Sequence, residues 1–173
     1  MAKVAGLEVV LTINGKNVSF GADALASIVS CLPDDSNSLE IHAELAKSTS
    51  HEIRENVASK DNLDEATVAL LAADSVDEVI FNLLCSDAAK YITQDALDKI
   101  IAKNTKLAAR VADSLGRFEE LDTAKLCDAL ATSPDPLVRR NVANNYDAPK
   151  KVLKSLLKDG DFDVVAAAKR SLE

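Results

Sequence analysis

Ser133-Pro-Asp-Pro-Leu-Val-Arg-Arg-Asn-Val-Ala-Asn-Asn-Tyr-Asp-Ala-Pro-Lys-Lys-Val-Leu-Lys-Ser-Leu-Leu-Lys-Asp159 reads as one complete helix–turn–helix unit. Pro134 and Pro136 suit the first turn of a helix, where the missing N–H costs nothing, and Ser133 or Asp135 can cap the free amides. Val138, Val142 and Ala143 then form one stripe at helical spacing. Asn144 to Asp147 interrupt the pattern with turn formers. Pro149 opens a second helix with Leu153, Leu156 and Leu157 as its stripe, and Gly160 is expected to stop it in a left-handed conformation. Each helix has a single narrow apolar face. The pair cannot close a core alone and must stack on neighbours.

The same pattern stands 85 residues earlier, from Ser48 to Asp74. Without a gap, Arg54, Asn56, Val57 and Ala58 fall on Arg139, Asn141, Val142 and Ala143, and Leu71 and Asp74 fall on Leu156 and Asp159. Two looser copies lie between. First-helix anchors are Ile53, Val79, Leu107, Val138 and Val164, spaced 26, 28, 31 and 26 residues. Second-helix anchors are Val68, Leu97, Leu126 and Leu153, each followed by apolar residues three and four positions on. Leu39–Lys47, with Ile41, Leu45 and Ala46 on one side, resembles the second helix of a truncated preceding unit, and 161–173 a first helix without its partner.

The pattern Asp-Pro-x-Val-Arg-x-x-Val-Ala-x-Asn followed by a Pro-led helix resembles the leucine-rich repeat variant, a relative of HEAT-type repeats. The residues that carry it are Asp135, Pro136, Val138, Arg139, Val142, Ala143, Asn145 and Pro149, with Ile53, Arg54, Val57 and Ala58 in the earlier copy. It covers roughly residues 39 to 173 and weakens in the middle units, where Ile80 and Ala108 replace the arginine. The resemblance implies an all-α fold: a short right-handed α-solenoid of HEAT-like helix pairs, about four and a half units long, presenting a binding surface. It implies no activity, since one fold serves many functions. Some nitrogen-fixation relatives carry an N-terminal cysteine cluster for an iron–sulfur centre, which the sequence here lacks.

Residues 1–38 read differently from 39–173. Leu7 to Ile13, Asn14-Gly15 and Lys16 to Phe20 give a β-hairpin, with Ile13 opposite Lys16, Leu11 opposite Val18 and Val9 opposite Phe20. A lone hairpin is marginal in water. The helix from about Ala22 to Leu32 is expected to cover it, and both together to cap the N-terminal end of the stack. The apolar run Val9–Ile13 is too short and interrupted for a secretory signal, and there is no eighteen-residue apolar run for a membrane span. Cys31, Cys85 and Cys127 are odd in number and scattered, which suits reduced thiols in a cytoplasmic protein.

The net charge of −8 is unevenly placed: residues 61–98 hold nine acids against Lys90 alone, whereas 134–173 hold eight bases against six acids. An acidic chain without Trp and with 3% aromatics is a poor nucleic-acid binder by default. His42 and His51 read as solvent-facing, and neither Cys-x-x-Cys nor His-Glu-x-x-His occurs, so no metal, cofactor or catalytic residue is expected. Candidate binding residues are Arg54 and Arg139, at matching positions, and Lys150, Lys151 and Lys154 on the last complete helix. The arginines, with Asn56, Asn82 and Asn141, read either as a hydrogen-bond ladder holding the turns between units or as a row facing a partner; the lysines read as a solvated face or an anion site. The function expected is a non-enzymatic protein–protein interaction or scaffold module, with its partner along the face made by the second helices. Alternatives are a nucleic-acid-binding protein of the HEAT-like DNA glycosylase kind, and a structural homo-oligomer stacking through the open C-terminal helix.

Overall fold

A computed structural model describes residues 10–19, 22–118 and 121–173. The fold is all-α in class, with eleven α-helices among the described residues. Ahead of them, β1 (Val10–Ile13) and β2 (Lys16–Ser19) pair antiparallel, with Ile13 opposite Lys16 and Leu11 opposite Val18. Asn14 and Gly15 take φ values of 50° and 76°, the left-handed pair that a two-residue hairpin turn requires. The Val9–Phe20 pair lies outside the described residues.

The chain forms two compact units that divide between Tyr91 and Ile92. The first contains α1 (Ala22–Ser30), α2 (Leu39–Leu45), α3 (His51–Ala58), α4 (Glu65–Ala72), α5 (Asp77–Cys85) and a 3-10 turn at Asp87–Tyr91. In it α3 lies between α1 and α5, while α2 and α4 pack on α3 and on each other. The second contains α6 (Gln94–Lys103), α7 (Thr105–Asp113), α8 (Thr123–Leu130), α9 (Pro136–Asn144), α10 (Lys150–Leu156) and α11 (Phe162–Leu172). There α9 lies between α7 and α11, with α6, α8 and α10 packed against them.

All nine anchors read from the periodicity are buried, none more than 3% exposed. Each such Val, Leu or Ile contributes about 1.5–3 kcal/mol by leaving water. The helices are only seven to eleven residues long, too short to persist alone, so their apolar stripes hold them in place. Side chains of Asp64, Asn104, Asp122, Asp135 and Asp161 accept from amides in the first turns of the helices that follow them. The uneven spacing of the middle anchors coincides with 3-10 turns at Asp87–Tyr91 and Leu115–Arg117, whose Ala88, Ala89 and Leu115 are themselves buried.

Three expectations need correction. Ile41 is 44% exposed and His42 is fully buried, so the inward stripe of α2 is His42, Leu45 and Ala46. Spacing alone allowed either choice, because Ile41 and His42 both stand one turn before Leu45. Gly160 is not left-handed, since Gly15 is the sole glycine with positive φ among the described residues; α10 ends at Leu156, and Lys158 and Asp159 continue the turn through amides bonded to Ser155 and Leu156 carbonyls. Finally, His42 does not face solvent; its imidazole is buried beside the Asn62 backbone.

Candidate functional site

Arg54 and Arg139 sit one position after a fully buried anchor, which turns their stems along the helix edge and their guanidinium groups toward the ends of the unit. Arg54 Nε and Nη2 donate to the two carboxylate oxygens of Asp74 at 2.6 and 3.0 Å, and Nη1 donates to the carbonyls of Ser48 and Thr49 at 2.8 and 3.3 Å. Arg139 repeats this with Asp159 at 2.7 and 2.9 Å and with Ser133 and Pro134 carbonyls at 2.8 and 3.1 Å. Asp74 also accepts from the Val76 amide, and Asp159 from the Asp161 amide, both at 2.9 Å. Each fork therefore ties the turn ahead of the first helix to the turn after the second. The bond to Arg139 holds the Asp159 carboxyl below its ordinary range, against burial, which opposes it. Both arginines have their three kinds of donor nitrogen engaged, with side chains only 14% and 17% exposed.

Asp74 and Asp159 stand at matching positions in the two copies, and no neighbouring residue marks either as an arginine's partner. The available signal was the constant offset of twenty residues from Arg to Asp in both copies. The asparagines divide. Asn82 and Asn141 donate to carbonyls of the preceding first helix, Glu55 at 3.4 Å and Ala109 at 2.9 Å, and Asn145 reaches Ala112 and Asp113. Asn56 instead bonds to Glu52 within its own helix. In the first unit a run of aspartates joins successive loops: Asp34 accepts from the amides of Asp61 and Asn62, and Asp61 accepts from the amide of Asp87. Buried Lys60 donates to the carbonyls of Ser30, the last residue of α1, and of Leu32 just beyond it. Burial holds the His42 imidazole below its ordinary pKa, and the nearby Lys60 cation adds to this.

Lys150, Lys151 and Lys154 are exposed on α10. The first two stand in the opening turn, where the positive end of the helix dipole disfavours a cation. Cys31 and Cys85 are exposed free thiols, and burial pushes the Cys127 thiol up to about 11, which keeps it protonated and inert. Among the described residues no group of three or more His, Cys, Asp or Glu side chains converges as a metal site, and no helix is long and apolar enough to cross a membrane.

The outward faces of the second helices differ. α6 shows Asp95, Asp98, Lys99 and Lys103 to solvent, and α10 shows its lysines. α4 does not follow suit. Its inward face is Thr67, Val68, Leu71 and Ala72, and its outward face is Glu65 in the first turn followed by Ala66, Ala69, Leu70 and the following Ala73, with Leu70 45% exposed. Beside it lies a groove of about 550 Å³, lined by Leu39, Leu63, Ala66 and Tyr91 and edged by Asp61, Asp64, Glu65 and Lys90.

No family model matches this chain. No curated protein matches it. The chain is similar to a crystal structure of an engineered protein, a Northeast Structural Genomics Consortium target, at 20% identity over 86% of each chain with a TM-score of 0.42.

Proposed function

We propose that both units are short runs of α-solenoid helix pairs and that the protein works as a non-enzymatic protein–protein interaction module, its partner lying on the second-helix surface. The observation that carries this reading is the two-sided apolarity of α4. A surface helix of a globular protein normally turns a polar face to water, and one that is apolar all round has something to cover it. α4 comes close to that, leaving Ala66, Ala69, Leu70 and Ala73 in solvent with Glu65 in its first turn as its one exposed charge. The paired arginine clamps support the repeat reading, since the same four-point geometry recurs 85 residues apart.

The test is a photo-crosslinking side chain placed at Leu70 or, as control, at exposed Lys99, in extract from the source organism. One protein species should attach at position 70 and not at 99, and excess unlabelled wild-type chain should compete it away where a Leu70→Asp chain does not. Attachment of nucleic acid, or of a second copy of this chain, would replace the reading by one of the other two.

A further inference from the structure

Resting on that reading, we infer that the groove beside α4 takes a polypeptide segment that combines lysine or arginine with an aliphatic side chain. Leu39, Leu63, Ala66 and Tyr91 give the lining its apolar part and Ser36 and Asn62 a neutral polar part, and it carries three carboxylates, Asp61, Asp64 and Glu65, against the ammonium of Lys90. That ammonium sits 5.1 Å from the centre of the Tyr91 ring, an attraction that draws it toward the aromatic face. Two of the carboxylates are fixed in place: Asp61 accepts from the Asp87 amide at 2.7 Å, and Asp64 from the Thr67 amide at 2.7 Å. The bonds to Asp64 hold its carboxyl below the ordinary range.

The groove thus joins a mostly apolar lining to a net negative set of carboxylates, two of them already held in place. An acidic segment would meet three like charges, and a purely polar one would leave the apolar lining wet. A segment carrying both basic and aliphatic side chains satisfies each part. Leu70 lies one turn beyond Ala66 and extends the apolar surface along α4, so the segment can continue past the groove.

Binding of three synthetic peptides to the 173-residue chain tests this by calorimetry. One alternates lysine and leucine, one glutamate and leucine, and one lysine and serine. The lysine–leucine peptide should bind roughly tenfold or more tighter than either of the others, and more weakly as salt rises. Ala66→Arg, which fills the groove with a cation, and Glu65→Lys, which reverses one edge, should each weaken that peptide by roughly tenfold or more. Both positions are exposed, and melting of the variants checks that they fold. Asp98→Lys on α6 is the control for overall charge and should leave affinity within about twofold. Equal binding of the lysine–leucine and lysine–serine peptides would reduce the effect to general attraction by an acidic protein and overturn the inference. So would indifference to Ala66→Arg, or no binding at all. If the peptides fail while crosslinking at Leu70 persists, the partner's chemistry has been misassigned and the binding reading stands; loss of both removes the reading itself.

Discussion

Replacing Arg139 by Met keeps most of the aliphatic stem and deletes the guanidinium, which isolates the contribution of the clamp. Asp159, with its side chain 8% exposed, would retain the Asp161 amide as a donor and lose both bonds from the arginine. Stranding one member of a wholly buried ion pair costs about 3–5 kcal/mol. The remaining donor and the partial exposure lower that figure, while the carbonyls of Ser133 and Pro134 lose a donor and raise it. The expected loss is about 2–4 kcal/mol. Lys99→Met is the control: Lys99 and Asp95 are equally close at 2.6 Å, but their side chains are 75% and 78% exposed, so the loss should stay below about 0.5 kcal/mol. Urea melts give both values, and native-state hydrogen exchange should localise the Arg139→Met loss to α9, α10 and α11. Asp159→Asn added to Arg139→Met should recover part of the loss, with a coupling of about 1–2 kcal/mol. Because Arg139 depresses the Asp159 carboxyl, the clamp's contribution is complete above the unfolded carboxylate pKa of about 3.9 and is lost as pH falls through the lower folded value. Equal losses for Arg139→Met and Lys99→Met, or strict additivity in the double variant, would refute the argument that burial gives this pair its strength.

Three further outcomes are expected. Val142→Asp should unfold the α9–α10 pair, because it puts an unpaired charge at a position with no solvent exposure, whereas Arg140→Ala should cost less than about 1 kcal/mol in the same melts; equal costs would mean the register is misread. Asn14-Gly15→Ala-Ala should raise amide exchange in 10–19, since both positions hold positive φ, while the helices keep their circular dichroism. His42 is buried beside the Asn62 backbone and faces the charges of Lys60, Asp34 and Asp35. Its folded pKa is depressed, so stability is full above about pH 6.5 and falls toward lower pH, by at most about 1.4 kcal/mol per pH unit until the folded value is passed. His42→Leu should flatten that part of the pH profile, and an unchanged slope would assign it to other groups.

Local spacing was enough to read the helices, the nine anchors they bury and the hairpin turn. These depend on local spacing: which residues recur at helical intervals, where proline and capping side chains stand, and where Asn-Gly permits positive φ. Hence all nine periodic anchors proved buried, and Asn14 and Gly15 took the conformation their types predict. Tertiary structure alone decided which of two adjacent residues on α2 turned inward, because one turn of helix offers Ile41 and His42 nearly equal claims and only the packing of α3 and α4 chooses. It also joined Arg54 to Asp74 and Arg139 to Asp159. The sequence showed both members in matching positions, but a bond across twenty residues depends on how the second helix folds back over the first. The apolar outer face of α4 was hidden for the same reason. Ala66, Val68, Leu70 and Leu71 look alike along the chain until packing has covered one side and left the other in water.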